Sequence, residues 1–383
     1  MIHSIIIFGG HIQALGLARQ AKKEGLSVRL IIKDSWSVTR FSNSVDAVSI
    51  CKNEDSISSL LESIDVHNTL LFPTSDEYVE YLSKNYDQLS SRFCLGIPNP
   101  PCVNIFANKR STYQFCEDNQ IPHPKSYYPN SINEIKLRST TINYPIVVKP
   151  AIMYSFHKLL GKKAFLCSSS EELENQCSQI ESKGYPINQL VLQEFLSGGA
   201  KCLYSFGVYA KDGKPRAWLQ ANRIRQNPMD FGNSTTFAVT CNIPQIEDTA
   251  RKILQLTNYT GLAEVEFMYD ANSNEYKFLE INTRAWKWHS ISENFGFGFL
   301  SELIRDANGL ESKFFPVCER KAWVERLTDW AVILKGSLKG KLNLQEAIKT
   351  YRIKKVSAVW SWRHPLPAIM YILMSPVLFL KRY

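Results

Sequence analysis

The chain has 383 residues, 44% of them hydrophobic and 21% charged, with a formal net charge of +9; this suits one large or two to three modest globular domains and excludes a disordered chain. Nine cysteines (Cys51, Cys94, Cys102, Cys116, Cys167, Cys177, Cys202, Cys241 and Cys318) stand singly, with no CxxC pair and an odd total, which argues for a reduced, cytoplasmic compartment and against a cysteine-held metal. Basic residues are not interleaved with aromatics as on a stacking platform, so the expected partners are anionic small substrates or an anionic membrane surface, and not nucleic acid.

The opening MIHSIIIFGG lacks a basic leader and breaks at a glycine pair, so it reads as a buried strand and not a secretion signal. HIQALGLARQAKKEG follows as an amphipathic helix and SVRLIIK, Ser27 to Lys33, as a second strand, a βαβ start. The next buried strand, TLLFPTSDE at Thr69 to Glu77, ends in polar residues where open α/β sheets place their binding crevice. Residues 1–104 are therefore expected to form a doubly wound domain. The proline-rich GIPNPPC, Gly96 to Cys102, reads as a boundary, with a helix from about Ile105 to Asn119 after it. The strand YPIVVKP, a helix near Ser170 to Ser182 and the strand QLVLQEFL form a small α+β unit. CLYSFGVYA, PRAWLQANRIR, TTFAVT, GLAEVEFMYD and EYKFLEINTR then make a mostly antiparallel set.

Two of these strands hold the chemistry. Alternation puts Glu280, Asn282 and Arg284 of FLEINTR on one side while Leu279 and Ile281 turn to the core, and it aligns Glu264 with Glu266 in GLAEVEF. The turn DANSN between them predicts a hairpin that sets the carboxylates side by side. Two glutamates and an amide suit magnesium, which takes the rest of its shell from water and phosphate, and Arg284 can take phosphate oxygens in pairs. Each glutamate taken singly also fits the solvated face of a sheet.

GLAEVEF followed by FLEINTR resembles the metal signature of the ATP-grasp superfamily, over residues 1 to about 311. The resemblance implies an α/β fold with a doubly wound, Rossmann-like domain at 1–104, a small α+β lid subdomain at 105–196 and a larger, mostly antiparallel subdomain with the metal site at 197–312, ATP lying between the two subdomains. Residues 313–383 are left as a basic extension with an apolar tail. It implies that Glu266, Glu280 and Asn282 ligate Mg2+ or Mn2+, with Glu264 a lesser candidate, and that Arg284 meets phosphate or an acyl phosphate. Lys109, ahead of the IPHP turn, and Lys149 in PIVVKP are similar to the two phosphate lysines, and the run Gln193, Glu194, Phe195 and Leu196 to the segment receiving adenine and ribose. Arg223 and Arg225, expected on one strand face, lie near the γ-phosphate in this resemblance. His11, Ser75, Asp76 and Glu77 become substrate candidates, as does His289 in RAWKWHS.

Two features depart from the pattern. The loop AIMYSFHKLLGKKA has one glycine, Gly161, so phosphate binding there rests on Lys158, Lys162 and Lys163 rather than on a cradle of amides. Trp288 stands where biotin carboxylase has the glutamate that serves as base for bicarbonate, which disfavours a biotin-dependent branch. The expected reaction is ATP-driven joining of a small carboxylate to an amine through an acyl phosphate, on an amino acid, peptide or surface-glycan precursor. The rivals are bicarbonate chemistry of the carbamoyl-phosphate type and a non-catalytic ATP-binding module. In the region 335–383, a lysine-rich span precedes LPAIMYILMSPVLFL, too short to cross about 30 Å of hydrocarbon. It reads either as an interfacial anchor at the inner face of a membrane, with Trp360, Trp362, Tyr371 and Phe379 at the interface, or as a helix packed on the core or in a homodimer contact.

Overall fold

The structure is a computed structural model that describes residues 1–64, 68–152, 156, 159–229, 234–317 and 319–380, the side chains of Phe379 and Leu380 excepted. The chain divides into two compact units, one of Met1–Val103, Gly199–Val265 and Ile281–Tyr383, the other of Asn104–Gly198 and Glu266–Glu280.

In the first unit, β1 (Ser4–Phe8), β2 (Ser27–Ile32), β3 (Ala47–Ile50), β4 (Thr69–Pro73) and β5 (Cys94–Leu95) form a parallel sheet in the order β3-β2-β1-β4-β5. The βαβ start and the buried strand at Thr69 are thus observed. β4 is buried along its whole length, as a central parallel strand covered on both faces must be. The helix Ile12–Lys23 buries Ala14, Leu15, Leu17, Ala18 and Ala21. Strand order reverses between β1 and β4, so the loops after them, with His11 and Ser75, sit at a switch point. β3 escaped the sequence reading because it is an edge strand that leaves Val48 and Ile50 exposed, without a fully apolar run to announce it.

In the second unit, β6 (Ser126–Tyr127), β7 (Ile146–Pro150), β8 (Phe165–Cys167) and β9 (Leu190–Glu194) form an antiparallel sheet in the order β6-β9-β7-β8. Helices Ile132–Ser139 and Ser170–Ser182 bury Ile135, Leu173, Cys177 and Ile180 with Ile146, Val148 and Leu192. The helix expected from 105 to 119 is two helices, Pro100–Ala107 and Lys109–Asp118. The prolines open the first, since a proline in the first turn forfeits no hydrogen bond. Asn108 is extended and its side chain accepts from Arg110 N, which starts the second helix at Lys109.

The third sheet comprises β10 (Leu203–Lys211), β11 (Lys214–Asn227), β12 (Ser234–Cys241), β13 (Gly261–Asp270), β14 (Glu275–Asn282), β15 (Ala322–Val324) and β16 (Lys355–Ser357), ordered β14-β13-β10-β11-β12-β15-β16. The pairs from β10 to β12 and on to β15 are antiparallel, and β15 with β16 is parallel. Residues beyond 313 therefore add strands to this sheet. Their apolar helix, Leu366–Leu380, buries Ala368, Tyr371 and Met374 in the first unit's core. Tyr371 is thus a core residue and not an interface marker, because one side of its helix packs. Among the described residues no helix is long and apolar enough to cross a membrane.

Candidate active site

The hairpin forms as the sequence predicts: β13 ends at Asp270 and β14 begins at Glu275. The Asp270 carboxylate fixes the turn by accepting from Asn272 N at 3.0 Å and Ser273 Oγ at 3.0 Å, a local Asx-type closure. Neither strand alternates simply. β13 is buried at every position but Tyr269, so Glu264 (4% exposed) and Glu266 (8% exposed) are not a solvated face. On β14 it is Phe278, packed edge-on against Phe267, that is fully buried, while Leu279 is half-buried. The expected inward turn holds for Ile281 alone of the pair.

In the second unit the lysines gather around Glu280. Lys109, the first residue of its helix, lies 3.4 Å from the Glu280 carboxylate. At that helix start the macrodipole and the lysine both favour an anion. Lys149, at the end of β7, donates to Tyr113 Oη at 2.9 Å and Gln193 Oε1 at 2.7 Å. Tyr113 Oη in turn donates to Leu279 O at 2.8 Å. Desolvation, with the charge of Lys109 nearby, pushes the Lys149 ammonium down to about 7 against the opposing pull of Glu280. Burial likewise lowers Lys163, which also feels Glu280. Glu194 at the end of β9 accepts from Lys125 N at 2.9 Å and pairs with Lys277 at 2.5 Å, and Lys277 also meets Asp270 at 2.9 Å. Leu196 is buried and Phe195 half-buried beside it. Lys158 lies outside the described residues.

The first unit holds a second polar cluster. Glu264 accepts from Trp288 Nε1 at 2.7 Å and from Asn282 Nδ2 at 3.2 Å, with Arg223 3.8 Å away. Arg284 donates to Asn282 Oδ1 at 3.1 Å and to Asp76 at 2.7 and 3.3 Å. A catalytic candidate and a substrate candidate 208 positions apart in the chain are so brought together. Glu77, exposed, pairs with Lys33; Ser75 is half-buried at the helix start, and His11 is exposed at the head of the first helix.

Two expectations fail here. Arg223 and Arg225 do not share a face, because β11 bulges between them: Arg223 stands opposite Ala238 but Arg225 opposite Phe237. Cross-strand partners point the same way, and Ala238 and Phe237 belong to different core clusters. Arg225 stacks over Phe237 at 4.4 Å and grips Asp329 at 2.9 and 2.8 Å, both side chains buried. It is a structural ion pair. His289 is no substrate contact either: it is 1% exposed, its Nε2 lies 3.0 Å from Gln13 O, and burial pushes it down to about 4. A Cβ on Gly16 would come within 2.7 Å of its ring.

Tyr113 and Lys277 were not singled out from the sequence as site residues; Lys163 was noted for its charge alone, and Gln193 only as the head of the segment that receives adenine and ribose. Gln193 directly precedes Glu194, yet nothing local says that it reaches Lys149. Among the described residues no group of three or more His, Cys, Asp or Glu side chains is placed to hold a metal unaided. Magnesium does not need one: two carboxylates and an amide, with nucleotide phosphates for the rest, satisfy it. In the second unit Glu266 and Glu280 carry carboxylates, and the lysines around Glu280 carry positive charge of the kind that suits an anion.

The chain is similar to known proteins in sequence and in fold. Residues 108–313 match the family model described as "Carbamoyl-phosphate synthase L chain, ATP binding domain". The chain is 25% identical over 299 residues to a D-aspartate ligase of Enterococcus faecium (strain Aus0004), covering 73% of this chain and 70% of that one. Its fold is similar to that of N5-carboxyaminoimidazole synthetase from Staphylococcus aureus (TM-score 0.66, 14% identity, 89% of this chain and 88% of the other). It is similar also to the biotin carboxylase domain of the Hydrogenobacter thermophilus 2-oxoglutarate carboxylase, solved as a dimer with MgADP, ADP and bicarbonate (TM-score 0.65, 16% identity, 82% and 71%).

Proposed function

The chain belongs to the carbamoyl-phosphate synthase L chain ATP-binding family, an ATP-grasp ligase family, and from that premise we propose that it joins the carboxylate of a small acidic amino acid, of the aspartate class, to an amine. The observation that supports this most is the gathering of Lys109, Lys149 and Lys163 around Glu280, a site for a polyphosphate and its counter-ion. Lys109 and Lys149 neutralise the phosphates, Glu194, Phe195 and Leu196 receive adenine and ribose, and Glu266, Glu280 and Asn282 hold Mg2+. When bound, the metal would supply positive charge that offsets the charge of the phosphates.

A carboxylate oxygen of the substrate attacks the γ-phosphorus, the bond to ADP breaks and an acyl phosphate forms. The amine nitrogen then attacks the acyl carbon, loses its proton, and phosphate leaves with the C–O electron pair. Stabilising charge on fixed donors does most of this work, so no covalent nucleophile is required. Arg284 is proposed to hold the substrate carboxylate, with Arg223 adding positive charge. Its present partner Asp76 is 80% exposed, and an ion pair open to water is weak enough, about 0–1 kcal/mol, to be exchanged for an incoming carboxylate. The aspartate class is taken from the resemblance to the D-aspartate ligase. Bicarbonate is the weaker reading, because Trp288 is buried and its Nε1 is committed to Glu264, leaving no base at that position.

The test is ADP release by the purified chain with MgATP, D- and L-aspartate or other amino acids as acid, and amino acids or peptides as amine. Release is expected to require both an acid and an amine, and Glu280→Gln to lower it by at least about a hundredfold. Release driven by bicarbonate alone, or a Glu280→Gln variant with full turnover, would sink the proposal.

A further inference from the structure

Helix Leu366–Leu380 is apolar on all sides. In LPAIMYILMSPVLFL the polar side-chain groups are Ser375 Oγ and the Tyr371 hydroxyl, and a helix of that kind is ordinarily buried all round. Ala368, Tyr371 and Met374 are buried in the core, and Leu378 packs against it. The other side faces outward: Leu366 is 44% exposed, Ile369 45%, Ile372 55% and Leu373 66%. These positions recur every three to four residues and so form one stripe. Trp362, shortly before the helix, is 87% exposed. An aliphatic stripe with an aromatic at its head needs a cover.

Charge decides which cover fits. From Lys335 to Tyr383 the sequence holds ten lysines and arginines and one acid, Glu346. A second copy docked through the same face would bring two such basic segments together, which repels. A nucleic acid suits the charge but asks for stacked aromatics, not an aliphatic stripe. An anionic lipid surface answers both features, since methyl groups and the indole enter the acyl boundary while ammonium and guanidinium groups meet the headgroups. At about 1.5 Å per residue the helix reaches about 22 Å, so it lies along the surface rather than across it.

We propose that the outer face of Leu366–Leu380, with Trp362, seats this protein on an anionic lipid surface. The inference stands apart from the ligase reading and does not depend on turnover. The experiment is flotation of the full chain with phosphatidylcholine vesicles, with and without phosphatidylglycerol, at low and high salt. Binding is expected to the anionic vesicles, weakened by salt, and at least about tenfold weaker for Ile369→Ser/Ile372→Ser/Leu373→Ser. Trp362→Ser, outside the helix, provides a second variant whose folding the helix does not govern, and brominated lipid is expected to quench wild-type fluorescence more than that of Trp362→Ser. No binding to anionic vesicles at low salt, or unchanged binding and quenching by Trp362→Ser, would overturn it. So would a lipid-free dimer that these substitutions dissociate, which would assign the face to a second copy.

Discussion

At the residue scale, Lys149 is the side chain whose surroundings have the clearest consequence. Its ammonium is lowered to about 7, against about 10.4 for a free lysine. The unfolded chain therefore binds more protons between those values, and stability from this group rises with pH across that window. If the proposed site is right, phosphates of bound MgATP restore the proton. Nucleotide affinity should then fall as pH rises above 7, by up to about tenfold per pH unit. Calorimetry at pH 8 in buffers of different ionisation enthalpy should register proton uptake on binding, and Lys149→Met should lose both uptake and affinity. Uptake that survives in Lys149→Met would place the nucleotide elsewhere. His289 gives the same sign in a lower pH window. Neutral when buried and lowered to about 4, it should cost the fold about 3 kcal/mol as pH falls from 7 to 4. Denaturant titrations of wild type and His289→Gln at both pH values measure that, and equal acid sensitivity would count against it.

At the scale of elements, the hairpin of β13 and β14 was legible because a polar turn and two carboxylate-bearing strands are local patterns. The bulge in β11 was not. Residues 223 to 225 read as plain alternation, and the shift arises only from pairing with β12. Its product is the buried pair of Arg225 and Asp329, with Thr236 and Tyr351 also donating to that carboxylate. Removing one partner of a buried pair leaves the other charge stranded, so Asp329→Leu should cost about 3–5 kcal/mol, while Arg225→Met/Asp329→Leu should recover most of it. Urea denaturation of the three proteins reads this directly. A double variant as unstable as the single one would mean that the loss comes from packing and not from charge.

For the whole molecule, the division into two units makes a single cooperative transition an unsafe expectation. Lys109, Lys149, Glu194, Glu266 and Glu280 all belong to the second unit. MgATP at about 100 times its Kd adds about 2.7 kcal/mol to whatever binds it. Scanning calorimetry should therefore show the transition of the second unit moved up by MgATP, by on the order of 10 °C for a unit of that size. Glu280→Gln should shrink the shift. A nucleotide effect on the first unit's transition alone would contradict the assignment of these residues.

What the sequence determined by itself was whatever short-range pattern encodes: the βαβ start, the antiparallel strand set, the hairpin, and through its resemblance the ATP-grasp fold. Tertiary structure alone decided which patterned residues meet. The sequence offered Arg225 and His289 as site residues, and packing turned both into core groups, because a charge or an imidazole follows the cavity its neighbours leave. It offered no sign that Asp76 would meet Arg284, or that Tyr113 and Gln193 would hold Lys149. Those contacts join segments far apart in the chain, and their energy exists only once the backbone has brought them together.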